Sequence, residues 1–220
     1  MPQDDIFHAI FNEMVLLRLH WKLFKEIFGH SEERNDLLNS ASPIFGPIGN
    51  SLRDNVVLSI ARLFDRPQVC GSDTVSLRAA VKDLSLSLAD ASGLLQELGV
   101  LKASCDSIIQ LRHKVIAHND KSLLAGEDSL QAPSRRYVDE TIHRIGEFVR
   151  MLWARKYNGE DVGFESPDEA DVPYWIEKLF KVLRAGLDGM DSDRIGRRDE
   201  FRRRYGVDTP DEFDPPKECT

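Results

Sequence analysis

The chain has 220 residues, 41 % of them hydrophobic and 30 % charged, with a formal net charge of -8. This length stands near the upper end of one compact domain, and the apolar content suffices for a core, which excludes a globally disordered chain. The acidic balance argues against non-specific coating of nucleic acid, whose affinity comes from clustered Lys and Arg, and its plainer meaning is solubility. It still leaves room for RNA held in one local basic cleft.

Three cysteines, Cys70, Cys105 and Cys219, form no CxxC pair. So sparse and odd a set suits neither a disulfide framework nor a zinc site, and points to a reducing compartment. The opening MPQDDIFHAIF is acidic rather than Lys/Arg-led, with no small-residue cleavage site after an apolar run. It does not read as a secretory leader, and no stretch nears the roughly 20 apolar residues of a membrane span. A cytoplasmic protein with no membrane partner is expected.

In chain order, residues 4–28 predict a long amphipathic helix. Phe7, Ile10, Met14, Leu17, Trp21, Phe24 and Phe28 recur at alternating steps of three and four, a stripe that requires a partner helix in the same chain or in a second copy. Gly29 and Ser31 break the pattern. A second helical region over 32–65 is interrupted or kinked near Pro43 to Gly49, and its latter half carries Ile48, Leu52, Val56, Ile60 and Leu63 on one face. Arg66-Pro67 ends it, because proline cannot continue the hydrogen-bond ladder. Residues 67–74 read as a loop, and Ser76 opens a shorter helix to about Leu88.

A long helix is expected from Ser92 to Ala117, with Leu94, Leu98, Leu101, Cys105, Ile108 and Val115 as its seam and among the most buried in the molecule. Residues 119–133 read as a loop. Val138, Ile142, Ile145, Val149, Leu152 and Trp153 mark a helix over 134–157, and Val172, Trp175, Ile176, Leu179, Phe180 and Leu183 one that ends near Gly186. Strand alternation is essentially missing and no sheet is expected. The fold class is therefore all-α, a bundle of five to six helices over 1–186. Residues 187–220 carry an arginine cluster at 194, 197, 198, 202, 203 and 204 before an acidic, proline-containing end. They read as a charged, weakly ordered tail with at most one short helix.

The motifs of several enzyme classes are missing. There is no GxxxxGK[ST], no GxGxxG after a strand, no HExxH and no GxSxG, which disfavours phosphate-loop NTPases, dinucleotide enzymes, zincins and α/β-hydrolases. The six histidines, at 8, 20, 30, 113, 118 and 143, have no metal-ligand spacing. No cofactor and no metal are expected.

One helix breaks its own apolar logic. The 94–98–101–105–108 stripe continues into Arg112, Val115 and Asn119. At about 100° per residue, Arg112 lies about 60° to one side of Val115 and His118 about 60° to the other, while Asn119 falls close to the line of Arg112. A guanidinium, an imidazole and an amide thus surround one apolar residue at the end of an inner face. His118 falls in the last turn, where the helix dipole favours its cationic form.

The run Leu111-Arg112-His113-Lys114-Val115-Ile116-Ala117-His118-Asn119-Asp120 resembles the HEPN signature, an Arg, usually a polar residue, a few more residues, then His. It is most similar to the branch of AbiU-type abortive-infection proteins. Leu58-Ser59-Ile60-Ala61-Arg62-Leu63-Phe64-Asp65, followed by Ser76-Leu77, resembles that branch as well, and the likeness covers about residues 1–155. His113 departs from the pattern, where Asn or Asp is commoner.

The resemblance implies a HEPN-like bundle and a metal-independent endoribonuclease, toxin-like or phage-defence related, in which an RNA 2′-hydroxyl attacks the adjacent phosphorus. It implies Arg112 and His118 as the catalytic residues, with His113, Asn119 and Asp65 in support. An imidazole titrating near neutrality suits base or acid work, and a planar guanidinium that stays charged suits the phosphate. Each chain supplies one His118, so a two-fold homodimer would supply both proton-transfer groups. RNA is the expected substrate, and an antitoxin or regulatory protein a further partner.

Blander readings stand beside these. Arg112 also reads as half of a buried ion pair with Asp65, His118 as a helix C-terminal residue bonding its own turn, His113 as a structural or supporting side chain, and the arginine cluster as a solvated face rather than a phosphate guide. The Phe7-to-Phe28 stripe reads as core or dimer seam, not as a base-stacking platform. The alternative function is a non-catalytic HEPN-type bundle that binds nucleotide, RNA or a partner protein.

Overall fold

Helices carry almost all the regular structure in the computed structural model, which describes residues 6–29, 31–41, 44–69, 71–112, 133–165 and 167–205. In order they are α1 (Ile6–Phe28), α2 (Glu32–Ala41), α3 (Phe45–Leu63), α4 (Leu77–Asp83), α5 (Leu88–Ser104), α6 (Asp106–Leu111), α7 (Arg135–Lys156) and α8 (Pro167–Tyr205). Between α3 and α4, the two-residue strands β1 (Gln68–Val69) and β2 (Ser72–Asp73) pair antiparallel, Gln68 opposite Asp73 and Val69 opposite Ser72. Gly71 turns this corner at φ +81°, a conformation that costs glycine nothing. The class is all-α, as expected. The small hairpin corrects the expectation of a plain loop over 67–74 and of no sheet at all.

Serine sets three helix starts. The hydroxyls of Ser76, Ser87 and Ser134 accept from the amides of Ala79, Asp90 and Tyr137 at 3.3, 3.2 and 3.2 Å, satisfying donors that have no partner inside the first turn. At the other end of α1, the guanidinium of Arg135 donates to the carbonyls of Gly29 and Phe28 at 2.8 and 3.0 Å, so a side chain of α7 closes the terminus of α1.

α1 lies at the centre and packs on α3, α4, α7 and α8. Its predicted stripe holds: Phe7, Ile10, Met14, Leu17 and Trp21 are buried in a core that also takes Val56, Ile60 and Leu63 of α3, Leu77 of α4, Leu94, Leu98 and Leu101 of α5, Ile108 of α6 and Val138 to Leu152 of α7. Phe24 stacks on Trp21 at 5.5 Å, and Trp21 Nε1 donates to Asp139 Oδ1 at 2.7 Å. A second face of α1, with Leu19, Leu23 and Ile27, meets Leu38 of α2 and Val172, Ile176 and Phe180 of α8 in a separate, smaller cluster. Phe28 belongs there as a partly buried member, and Ile27 is the buried residue at that end. Gly49 of α3 lets the Phe28 ring approach, since a Cβ there would stand 3.0 Å from Cζ.

Several expectations need correction. α4 stops at Asp83 rather than near Leu88, because Ser85 takes a left-handed φ of 50° that no helix continues. The helix expected over 92–117 starts earlier, at Leu88, and is two helices with a break at Cys105. The last helix does not end near Gly186; that glycine keeps a negative φ, and α8 runs on to Tyr205. Ile48 and Trp175, expected on inner faces, are 37 % and 56 % exposed. Residues 113–132, which hold the end of the expected 92–117 helix and most of the 119–133 loop, lie outside the described residues, as do Cys70, residues 206–220 with Cys219, and the side chains of the arginine cluster. Among the described residues no helix is long and apolar enough to cross a membrane.

Candidate functional site

The site begins with the break between α5 and α6. In an unbroken helix the carbonyl of Leu101 would accept from the amide of Cys105. Here it takes the Ser104 hydroxyl at 2.7 Å and the Cys105 thiol at 3.1 Å, while the Cys105 amide turns to the carbonyl of Lys102 at 3.0 Å. Such back-bonding offers the chain an alternative to the helical ladder and bends it. The Tyr137 hydroxyl of α7 then donates to the Ser104 carbonyl, which an unbroken helix would have bonded to the amide of Ile108. The Ile108 and Ile109 amides instead bond the Cys105 carbonyl at 3.0 and 3.1 Å and start α6 afresh.

This redirection aims α6. Ile108 and Ile109 anchor it in the core, and its end packs beside α3. Arg112 follows with helical backbone angles, φ -56° and ψ -49°, and a side chain 26 % exposed. Its Nη1 donates to Asp65 Oδ1 at 3.4 Å, and Asp65 is 28 % exposed. Asp65 itself is held just past α3, its amide bonded to the Arg62 carbonyl at 3.0 Å. The structure therefore brings Arg112 and Asp65 together. Their contact is long, single-pronged and part-hydrated, so it contributes about 0–1 kcal/mol rather than the large term of a sealed pair. His113, His118 and Asn119 lie outside the described residues.

Cys105, fully buried and free at the break, has its thiol pKa pushed up by burial, an effect that the Ser104 hydrogen bond and the charge of Arg144 oppose. Among the described residues, no three His, Cys, Asp or Glu side chains converge as metal ligands would. Sequence reasoning missed the group that positions α6, namely Ser104, Cys105 and Tyr137. A serine next to the cysteine of an apolar stripe is a weak local signal of back-bonding; Tyr137 leaves none, because it arrives from another helix.

No curated protein and no solved structure matches the chain. The family model described as AbiU2, of HEPN type, matches residues 3–161, which takes in α1 through α7 and the Asp65–Arg112 pair and stops before α8. Matched over residues 3–161, most of its length, by that model, this chain of all-α class belongs to the AbiU2 family of the HEPN superfamily.

Proposed function

We propose that this protein is a metal-independent endoribonuclease of HEPN type that serves an abortive-infection or toxin-like role. The observation that carries the proposal is Arg112: the core seam of α5 and α6 ends on a part-exposed guanidinium held by one 3.4 Å contact, six residues before His118 in the run that resembles the HEPN signature. Because the Asp65 contact is weak, moving the guanidinium onto a phosphate costs little, and the remaining nitrogens of its fork are without a partner among the described residues. Asp65 acts as a positioning residue that holds Arg112 at the rim until substrate arrives.

In this reading a base removes the 2′-hydroxyl proton, the 2′-oxygen forms a bond to the adjacent phosphorus, and the bond from phosphorus to the 5′-oxygen breaks. The leaving oxygen takes a proton, giving a 2′,3′-cyclic phosphate and a 5′-hydroxyl. Arg112 neutralises charge gathering on the non-bridging oxygens. The two copies of His118 in a two-fold homodimer serve as base and acid.

Purified protein incubated with single-stranded RNA in EDTA should cut it, and His118→Ala should slow cleavage by about 10²–10⁴-fold. Arg112→Lys keeps charge but loses the planar fork and should recover only part of the rate. RNA with 2′-deoxy substitution should resist. Cleavage that needs added divalent metal, or wild-type rates in both Arg112→Ala and His118→Ala, overturns the proposal. RNA bound by wild-type protein yet never cut establishes the binding-module alternative instead.

A further inference from the structure

Asp65 has two sides. One carries the contact to Arg112; the other lines a recess of about 150 Å³ with Phe64, Arg66, Arg78, Leu98, Gly99 and Lys102. We infer that this recess seats a backbone phosphate of the RNA strand next to the one that reacts, an inference that rests on the endoribonuclease reading and deepens it.

Charge comes first. Arg66 just beyond α3, Arg78 of α4 and Lys102 of α5 bring three cations from three elements to one small space, in a chain whose net charge is -8. Among the described residues the only carboxylate lining the recess is Asp65, and it is already engaged with Arg112. None of the three cations has a carboxylate partner among the described residues. An anion is the complement to such an arrangement, and phosphate oxygens accept from both guanidinium forks and ammonium groups.

Size and shape narrow the occupant. The volume is below the roughly 300 Å³ at which small-molecule pockets begin, so it suits a charged group rather than a whole nucleotide. Buried Phe64 and Leu98 form the apolar part of the wall, which strengthens attraction by excluding water on one side. Gly99, inside α5, has no atom within 4 Å of where a Cβ would stand, so core packing does not demand a glycine there, and its effect is to keep the recess open. The backbone at Arg66 is held in place: its carbonyl accepts from the Thr74 hydroxyl, and Thr74 N bonds the Pro67 carbonyl at 2.8 Å, so Thr74 closes the base of the β1–β2 hairpin against it. A strand with its reactive phosphate at Arg112 and its neighbour in the recess runs across Asp65, which fixes the register of cleavage.

The test measures binding rather than cutting. Full-length wild-type protein is titrated into a fluorescent, single-stranded 2′-O-methyl oligonucleotide, which has no free nucleophile, and anisotropy is followed across a salt series. Arg78→Gln and Lys102→Gln should each weaken binding at low salt and reduce the slope of log K against log salt by about 0.7 per lost contact. Lys181→Gln on α8 removes the same charge from the other side of α1 and should leave the slope unchanged. Gly99→Leu fills the recess without altering charge; it should weaken binding while the melting temperature is held or raised, because leucine favours helix over glycine. Recess variants with wild-type affinity and slope overturn the inference, and if the same wild-type protein still cuts RNA the endoribonuclease reading survives it. Loss of binding in these variants, from a wild type that never cuts unmodified RNA, supports the recess and sinks the catalytic reading. A mononucleotide that competes as well as the strand overturns the inference, since the recess then serves a free phosphate ester.

Discussion

The two hydrophobic clusters of this molecule are built differently. The larger one gathers residues from α1 and α3 through α7, with Met14, Leu17, Ile60, Leu77, Ile108 and Ile145 showing no accessible surface. The smaller one rests on Ile27, Leu38, Val172, Ile176 and Phe180, most of them 6–8 % exposed. Its join to α8 relies in addition on polar ties: Arg18 to Glu169 at 3.4 Å and to Glu165, just before α8, at 3.3 Å, Arg34 to Glu177 at 2.7 Å, and Arg34 over the Phe180 ring at 4.7 Å. The family match ends at residue 161, so it covers the larger cluster almost completely and leaves out the α8 half of the smaller one. Cooperativity therefore resides in the larger cluster: apolar area shared among six helices resists local opening, whereas a lone helix held on one stripe and a few part-hydrated ion pairs opens at lower free energy. The candidate site belongs to the first region.

Truncating one isoleucine in each cluster should separate the two most strongly. Ile60→Ala leaves a cavity at a position of 0 % exposure and should cost about 2–5 kcal/mol in a cooperative unfolding transition. Ile176→Ala, at 7 % exposure on a face that can settle, should cost about 2 kcal/mol or less and act mainly by local opening. Urea titration with amide exchange on both variants checks this. Equal costs with coincident transitions would mean that α8 is as integral as the rest.

A smaller effect separates anchoring from aiming within the larger cluster. Tyr137→Phe removes the hydroxyl that takes the Ser104 carbonyl but keeps the ring, and should destabilise by about 0.5–1.5 kcal/mol. If that bond aims α6, the RNA cleavage proposed for this protein should fall by more than the loss of folded protein accounts for. A fall that only tracks stability would reduce Tyr137 to packing.

The smallest concerns Cys105. Burial raises its thiol pKa, so above the ordinary value of 9.0 the unfolded chain loses this proton while the native chain keeps it. The native state then binds more protons than the unfolded one, and stability falls as pH rises from about 9 until the folded thiol ionises as well. Cys105→Ala should cost about 1 kcal/mol or less at neutral pH and flatten that decline. A wild-type and variant difference that stays constant from pH 8 to about 11 would contradict it.

Much of the first region was legible because periodicity is a local property. The α1 stripe from Phe7 to Trp21, the serine start of α4 and the span of α7 could all be read from spacing and residue type. The pairing of Asp65 with Arg112, 47 residues apart, stood only as one alternative, a buried ion pair, and the structure shows it part-exposed. Tertiary structure alone decided the rest. Spacing shows that a helix has an apolar face but not how many neighbours it meets, so the second stripe of α1, Leu19, Leu23 and Ile27, emerged only when α2 and α8 packed on it. The same ambiguity left Trp175 exposed while Ile176, one residue on, is buried. The division of the expected 92–117 helix depends on whether a carbonyl keeps its helical partner. Ser104 and Cys105 make that exchange possible, and Tyr137, 33 residues away in sequence, completes it by taking the carbonyl that α5 would otherwise have used to continue.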